Sequence, residues 1–287
     1  MARWLVTGAG GMLGQDLAPL LQPHSPTLAT RQALDVTDAS AVADAVAGHD
    51  VVVHLAAWTD VDGAESDPEN AMAVNATGTH NVATACARHG ARLIHLSSDY
   101  VFDGNGTTPY AEHHPTNPVS VYGRTKETAE RAVFELLPDT GVILRTAWLY
   151  GAHGRSFPTT IRSLLDTRDT IDVVDDQNGQ PTWTADLARR IVEVGELAPP
   201  AGIYHATNAG ATTWFGLART VAIALGTDPE RVRPTTSAQF VRPAPRPAYS
   251  VLGQDGWARV GLPPMRHWHE ACAQALPVVL GTTTEEG

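Results

Sequence analysis

The stretch Trp4-Leu5-Val6-Thr7-Gly8-Ala9-Gly10-Gly11-Met12-Leu13-Gly14 decides the fold of this 287-residue chain. A short strand-like run is followed by a glycine-rich turn, and the turn opens a helix-like segment. Glycines in that context let the backbone approach a pyrophosphate at the helix N-terminus, as in dinucleotide-binding proteins. The pattern therefore predicts cofactor contacts at Gly8, Gly11, Met12 and Leu13.

Apolar, β-rich runs alternate with alanine-rich, helix-like segments through the first half of the chain. This order predicts an α/β fold, a doubly wound (Rossmann) parallel sheet with helices on both faces. After Gly151 the pattern loosens. We expect an NADP-binding domain over residues 1–150, with returning segments near 170–200, and a smaller, mainly substrate-binding domain over 151–287. The predicted strands are Trp4–Thr7, Thr27–Ala29, Val51–Leu55, Leu93–Ser97 and Val142–Thr146, and the predicted helices are Met12–Leu21, Ala39–Ala47, Asn70–His89 and Val121–Leu137.

Charge and cysteine content narrow the class of protein. The formal net charge of -11 argues against a nucleic-acid or anionic-membrane partner. No apolar stretch approaches the roughly 20 residues that span a bilayer. The two cysteines are too few for a disulfide framework, and the strand-like run that starts at Arg3 leaves no room for a signal peptide. These features predict a cytoplasmic protein.

The end of the second predicted strand bears on the choice of cofactor. An arginine there accommodates the 2′-phosphate of NADP, whereas an acid binds the ribose hydroxyl of NAD. Arg31 therefore favours NADPH. Asp35 lies near the distance of about 20 residues at which the ribose acid is expected, which leaves acceptance of NADH open. We place Asp35 and Val36 near the adenine ring, and Ala56 and Ala57, after the third strand, beside the cofactor.

Tyr122 and Lys126 form a Tyr-x-x-x-Lys pair, and Ser98 lies 24 residues earlier, at the end of an apolar strand. A spacing of four places the tyrosine and the lysine on one helix face. An ammonium there is expected to lower the tyrosine pKa, so that the phenol exchanges a proton near neutral pH. Ser98 would hydrogen-bond a carbonyl oxygen, and Lys126 would also hold the nicotinamide ribose. We predict that these three residues are catalytic in a ketone reduction.

Five further blocks of sequence are distributed along the chain: Ser97–Gly104, Tyr122–Lys126, Arg145–Gly151, Asp176–Thr182 and Arg246–Ser250. Together they resemble the extended short-chain dehydrogenase/reductases, and most closely the dTDP-4-dehydrorhamnose reductase family. The resemblance implies a catalytic triad of Ser98, Tyr122 and Lys126. It also implies substrate contacts, at Asp99, Tyr100, Phe102, Trp148 and Arg246.

The resemblance implies NADPH-dependent reduction of the C4 ketone of a dTDP-4-dehydro-6-deoxy-L-hexose. Related dehydratases carry Thr-Asp-Glu where this chain has Ser98-Asp99-Tyr100, so the glutamate for dehydration is absent. Two alternatives stay open: a sibling reductase of antibiotic deoxysugar biosynthesis, acting on another dTDP-ketosugar, and a non-catalytic NADP-binding regulatory subunit. An epimerase would need tightly held NAD, which Arg31 disfavours.

The sequence constrains the oligomeric state less than it constrains the fold. Some relatives dimerise through magnesium held by glutamates. Asp16 and Glu270 stand at two such positions, but no acid matches the region near Ala185. We predict no required metal, and both a monomer and a homodimer remain open.

Overall fold

The computed structural model describes residues 2–282, and strands alternate with helices through its first 150 residues. The strands are β1 (Trp4–Thr7), β2 (Thr27–Ala29), β3 (Val51–His54), β4 (Arg92–Ser98), β5 (Gly141–Thr146), β6 (Leu149–Tyr150), β7 (Ile171–Val174), β8 (Asn178–Gly179), β9 (Thr182–Trp183), β10 (Gly202–His205), β11 (Thr212–Thr213) and β12 (Val232–Thr235). The α-helices are α1 (Met12–Leu20), α2 (Ala39–Val46), α3 (Val61–Ser66), α4 (Pro68–Met72), α5 (Gly78–His89), α6 (Val121–Leu136), α7 (Phe157–Thr167), α8 (Thr184–Leu197), α9 (Trp214–Ala224) and α10 (Trp268–Val279).

The largest sheet has six parallel strands in the order β2-β1-β3-β4-β5-β10. Its strands bury both faces, because alternate side chains point to opposite sides of a sheet. Leu5, Val52 and Leu93 belong to the apolar core on one face, whereas Val6, Val53 and Ile94 belong to the core on the other. This arrangement confirms the predicted doubly wound α/β fold.

Strand β2 lies on one side of β1 and strand β3 lies on the other, so the direction in which strands are added reverses at β1. In doubly wound folds, ligands bind outside the carboxyl ends of the strands at such a reversal. The glycine-rich turn follows β1, and Ala56 and Ala57 follow β3. The sheet topology therefore brings these two predicted cofactor segments to one crevice.

The second half of the chain forms a separate apolar core and also returns to the large sheet. Helices α7, α9 and α10 pack around β7 and β12 in that second core, where β7 pairs with β12. Helix α8 instead packs on the first core, through Leu187 and Ile191, and β10 pairs with β5. The segment that returns to the large sheet therefore runs over 184–205, while β7 lies in the smaller unit.

The predicted helix over 70–89 is interrupted. Helix α4 ends at Met72, a π-helical turn covers Ala73–Thr77, and α5 then begins at Gly78. Within this turn Asn75 is buried and bonds across to the backbone of Trp58, donating to the carbonyl at 3.1 Å and accepting from the N–H at 2.8 Å. π-Turns inside helices often lie at functional sites, and here the turn anchors the segment that follows β3.

The Gly195→Ala variant should be less stable than the wild type. A Cβ at position 195 would lie 1.9 Å from the Trp4 ring, and Trp4 is only 1% exposed and cannot move aside. Overpacking of this kind costs about 1–3 kcal/mol, against a gain of about 1 kcal/mol from the better helix propensity of alanine. We expect a lower midpoint in urea unfolding.

Gly10→Ala is the matched control, because the nearest atom to its added Cβ is a Thr30 methyl carbon 3.5 Å away. Its midpoint should stay close to that of the wild type. Equal midpoints for Gly195→Ala and the wild type would contradict the tight contact between α8 and β1.

Candidate functional site

The glycine-rich turn is packed so closely that side chains would not fit. Gly8 has a φ of 69°, and a Cβ there would lie 2.5 Å from the Ala56 nitrogen. A Cβ on Gly14 would lie 2.5 Å from the Ala9 carbonyl oxygen. Gly11 is the N-cap of α1, and among the described residues no side chain caps this helix. The free N–H groups of the first turn, including those at Met12 and Leu13, suit the pyrophosphate of a dinucleotide.

The residues after β2 differ in how their side chains are engaged. Arg31 is exposed in a turn. The Asp35 carboxylate accepts hydrogen bonds from the Thr37 N–H at 2.9 Å and the Thr37 hydroxyl at 2.8 Å. These bonds, with the charge of Arg31, hold the Asp35 pKa below its usual value. Val36 is 4% exposed. The Asp35 carboxylate therefore serves a local turn, whereas the Arg31 side chain is exposed.

The predicted catalytic residues meet where β4 ends and α6 begins. Ser98, the last residue of β4, donates a hydrogen bond to Asp99 Oδ1 at 2.9 Å and accepts one from the Tyr100 N–H at 3.2 Å. Tyr122 lies in the first turn of α6, with its ring centroid 5.7 Å from that of Tyr100. Lys126 Nζ donates to the Leu96 carbonyl at 2.7 Å, two residues before Ser98. The structure therefore brings Ser98, Tyr122 and Lys126 to one edge of the sheet.

The pKa of Tyr122 is raised to about 12, the opposite of the direction expected from the sequence. Burial and the nearby Asp99 carboxylate raise it, and the Ser98 hydroxyl lowers it by a smaller amount. The expectation was wrong because burial has the largest effect on the Tyr122 pKa, while the Lys126 ammonium is bound by the Leu96 carbonyl. Burial lowers the pKa of Lys126 to about 8, against an opposing effect of Glu130.

A buried ion pair lies directly behind this site. Glu130, one helical turn beyond Lys126, accepts hydrogen bonds from Arg145 Nε at 2.8 Å and Nη2 at 2.6 Å. Their side chains are 4% and 2% exposed. The Ser97 hydroxyl donates to the same carboxylate at 2.5 Å. This pair therefore joins α6 to β5 and to the residue that precedes Ser98.

The residues predicted to contact substrate are not equally accessible. Tyr100 is partly exposed, and the Arg246 guanidinium lies 5.9 Å from its ring centroid. Asp99 is only 1% exposed and contacts Ser98, so the structure places it behind the serine. Burial raises its pKa to about 6, against lowering hydrogen bonds from the Ser250 and Ser98 hydroxyl groups.

The structure corrects the prediction that Phe102 contacts the substrate. The side chain is fully buried, stacks on Tyr110 with 4.2 Å between ring centroids, and is covered by the Arg145 guanidinium at 4.9 Å. A side chain enclosed in this way contacts no ligand. Phe102 instead stabilises the long loop between β4 and α6, because it joins Val101, Tyr110 and Leu252 in a small core.

Trp148 lies just beyond β5 in an unusual backbone conformation, with a φ of 46°. Its ring stacks on Trp214 with centroids 3.6 Å apart and planes 11° apart, and a Cβ on Gly179 would lie 2.4 Å from it. Trp214 Nε1 in turn donates to Gln177 at 3.2 Å. A bulky residue at positive φ is strained and persists only where its surroundings enforce it.

Three further residues at the site were missed from the sequence. Glu130 had a detectable signal, since its spacing of four from Lys126 continues the Tyr122–Lys126 helix face. Trp214 gave none, because its stacking on Trp148 depends on tertiary packing. The contacts of Asp62 gave none either, since they reach Arg242 and Arg246, which lie about 180 residues further along the chain.

Metal and membrane features complete the description. Within residues 2–282, no group of three or more His, Cys, Asp or Glu side chains is arranged to hold a metal ion. Asp16 accepts a hydrogen bond from Thr184 at 2.5 Å and lies 3.4 Å from His153 Nε2. No helix in the same range has the length and apolar character that a bilayer crossing requires.

Known proteins match the whole of this architecture. A family model described as "RmlD substrate binding domain" matches residues 2–280. The chain is 55% identical to a dTDP-4-dehydrorhamnose reductase of Streptomyces griseus, over 97% of this chain and 94% of that protein. It is 49% identical to a dTDP-4-keto-6-deoxy-D-glucose reductase of Streptomyces niveus, over 96% and 97%.

A solved structure gives the same result. The Bacillus anthracis dTDP-4-dehydrorhamnose reductase, crystallised in complex with NADP, superimposes with a TM-score of 0.90 at 33% identity, covering 98% of this chain and 99% of that one. The chain therefore belongs to the RmlD family of dTDP-4-dehydrorhamnose reductases.

The Arg31→Ala variant should bind NADPH more weakly, with little change for NADH. Loss of hydrogen bonds to a charged phosphate corresponds to about 1.5–3 kcal/mol, or a loss of about tenfold or more in affinity. Titration of each cofactor, followed by intrinsic fluorescence, measures the difference.

Arg88→Ala is the matched control, because Arg88 is an exposed arginine in the last turn of α5, which leads to the opposite edge of the sheet. Its cofactor affinities should equal those of the wild type. An equal loss of NADPH and NADH binding in Arg31→Ala would contradict a contact with the 2′-phosphate.

Proposed function

We propose that this protein reduces the C4 ketone of a dTDP-4-dehydro-6-deoxy-L-hexose, of the dTDP-4-dehydrorhamnose type, with NADPH. One observation carries the proposal: Ser98, Tyr122 and Lys126 meet at the carboxyl edge of β4, beside the crevice of the glycine-rich turn. The names of the Streptomyces griseus protein and of the Bacillus anthracis NADP complex support the substrate and the cofactor.

NADPH, when bound, supplies the hydride. The protein supplies the proton and the orientation. With a pKa of about 12, Tyr122 is protonated at neutral pH and can donate to the ketone oxygen as the hydride reaches the carbon. The Ser98 hydroxyl lies beside the phenol and can donate to the same oxygen when its hydrogen turns from Asp99 to the ketone. The Lys126 ammonium, one helical turn away, offers a positive charge as the phenolate forms, and its position suits the nicotinamide ribose.

We infer a division of labour between the two halves of the chain. Residues 1–150, with the returning segment 184–205, would hold the cofactor through Gly8, Gly11, Met12, Leu13, Arg31, Asp35, Val36, Ala56 and Ala57. The later residues would bind the dTDP-sugar through Arg246, together with Tyr100 and Trp148 from the first half. Asp99 would act through Ser98. A cytoplasmic location and a monomer or homodimer fit this role.

A sibling activity is the second candidate. The Streptomyces niveus relative, at 49% identity, is named for a D-glucose-derived ketosugar, so closely related chains carry names for different sugars. The two substrates differ in stereochemistry, which the walls of the sugar pocket must distinguish.

Turnover of the two ketosugars separates these candidates. We expect NADPH oxidation, followed by loss of the reduced-nicotinamide absorbance, to be faster with dTDP-4-dehydrorhamnose than with dTDP-4-keto-6-deoxy-D-glucose, measured as kcat/KM. The reverse preference would favour the sibling activity. Absence of turnover with both, despite NADPH binding, would favour a non-catalytic NADP-binding subunit.

The Tyr122→Phe variant should lose about 10²- to 10⁴-fold in kcat, because it lacks the proton donor. NADPH binding should persist. Tyr204→Phe is the matched control: it removes a hydroxyl bonded to the Pro200 carbonyl at 3.0 Å, on the edge strand β10. Near-native turnover by Tyr122→Phe would rule out the assigned role.

A further inference from the structure

Asp62 holds together a loop that lies about 180 residues away in sequence. The carboxylate accepts a hydrogen bond from Arg242 Nε at 2.9 Å and another from Arg242 Nη2. Its other oxygen accepts from the Ala244 N–H at 3.1 Å and lies 3.0 Å from Arg246 Nη2. One carboxylate in the first turn of α3 therefore fixes two guanidinium groups and the backbone between them.

The loop that Asp62 fixes reaches the catalytic tyrosine. Arg246 Nη1 also donates to the Ala244 carbonyl at 3.1 Å, and its guanidinium lies against the Tyr100 ring, which packs edge-on against Tyr122. The Asp62 and Arg246 side chains are each 17% exposed. One hydrogen bond, one ion pair and an aromatic ring therefore set the orientation of Arg246.

The charges of this cluster suit an anionic ligand. Two guanidinium groups and one carboxylate leave a net charge of +1, and without Asp62 the two arginines would repel each other at short range. Guanidinium groups bind phosphate oxygens bidentately when their orientation is fixed. The Asp62 contacts supply that orientation before a ligand arrives.

We propose that Asp62 is a positioning residue for the substrate, which holds Arg242 and Arg246 in the arrangement that binds the diphosphate of a dTDP-sugar. The inference rests on the proposed function, because it takes the substrate to be a nucleoside diphosphate. Asp62 itself contacts the two arginines and does not contact the phosphate.

The test uses dTDP alone, measured by calorimetry, together with steady-state kinetics on the ketosugar. Asp62→Asn should raise the Kd for dTDP and the KM for the ketosugar about tenfold, since the contacts it weakens are charged hydrogen bonds. The KM for NADPH should not change, and kcat should change far less than KM. Asp62→Glu, which keeps the charge, should recover part of the loss. A purely structural defect would not separate the two KM values.

Asp60→Asn is the matched control. It removes the same charge two residues earlier, at the N-cap of α3, and asparagine retains the capping bond that Asp60 accepts from the Gly63 N–H. This variant should bind dTDP as the wild type does. Arg242→Gln provides a second test, for use if Asp62→Asn proves too unstable to study. The Arg242 side chain is 48% exposed, and its loss should also weaken dTDP binding.

The outcomes distinguish the two proposals. If the wild type does not bind dTDP, the proposed substrate class is wrong. If the wild type binds dTDP and Asp62→Asn binds it equally well or more tightly, the positioning role of Asp62 is overturned. In a background that carries both Arg242→Gln and Arg246→Ala, Asp62→Asn should add little, and full additivity of the losses would also overturn it.

Discussion

The buried ion pair between Glu130 and Arg145 is the contact on which the geometry of the catalytic edge depends. It joins α6, which carries Tyr122 and Lys126, to β5, and through Ser97 it reaches the residue before Ser98. Removing one partner of a buried pair costs about 3–5 kcal/mol, because the other charge is left uncompensated. Three predicted catalytic groups from two elements therefore share one anchor, which lies where α6 meets β4 and β5.

A second set of contacts joins the two halves of the chain around the same edge. The loop between β4 and α6 bonds to the segment after Arg246, where Tyr110 N–H donates to the Val251 carbonyl at 2.8 Å and Tyr249 N–H to the Gly104 carbonyl at 3.1 Å. Tyr100, in the short helical turn that begins this loop, meets Arg246 from the later segment. The loop between β4 and α6 and the segment that contains Arg246 are therefore one hydrogen-bonded unit, and a displacement of either displaces the other.

Local sequence patterns predicted the sheet, the glycine turn and the meeting of Ser98, Tyr122 and Lys126. Each depends on short spacings: the alternation of strands and helices, the strand–turn–helix context of Gly8, and the four-residue step from Tyr122 to Lys126. The direction of the Tyr122 pKa and the burial of Phe102 could not be predicted, because both depend on tertiary neighbours. The Tyr-x-x-x-Lys spacing does not show that a backbone carbonyl will bind the lysine ammonium. A phenylalanine in a loop sequence does not show whether an arginine will cover its ring. The contact from Asp62 to Arg246 spans most of the chain and has no local signature.

The fixed position of the Trp148 ring has a consequence for the entropy of ligand binding. Its ring is already immobilised against Trp214, and Gly179 leaves room for it by having no side chain. Ordering a mobile side chain on association costs about 0.5–1.5 kcal/mol, and a ligand that packs on this ring avoids that cost. In the proposed function, a fixed ring at this position would also select by shape, because it cannot adjust to a sugar whose hydroxyl group points the wrong way. The strain at Trp148 is compensated when the protein folds, before any ligand binds. A preference for one stereoisomer would then come from a rigid surface.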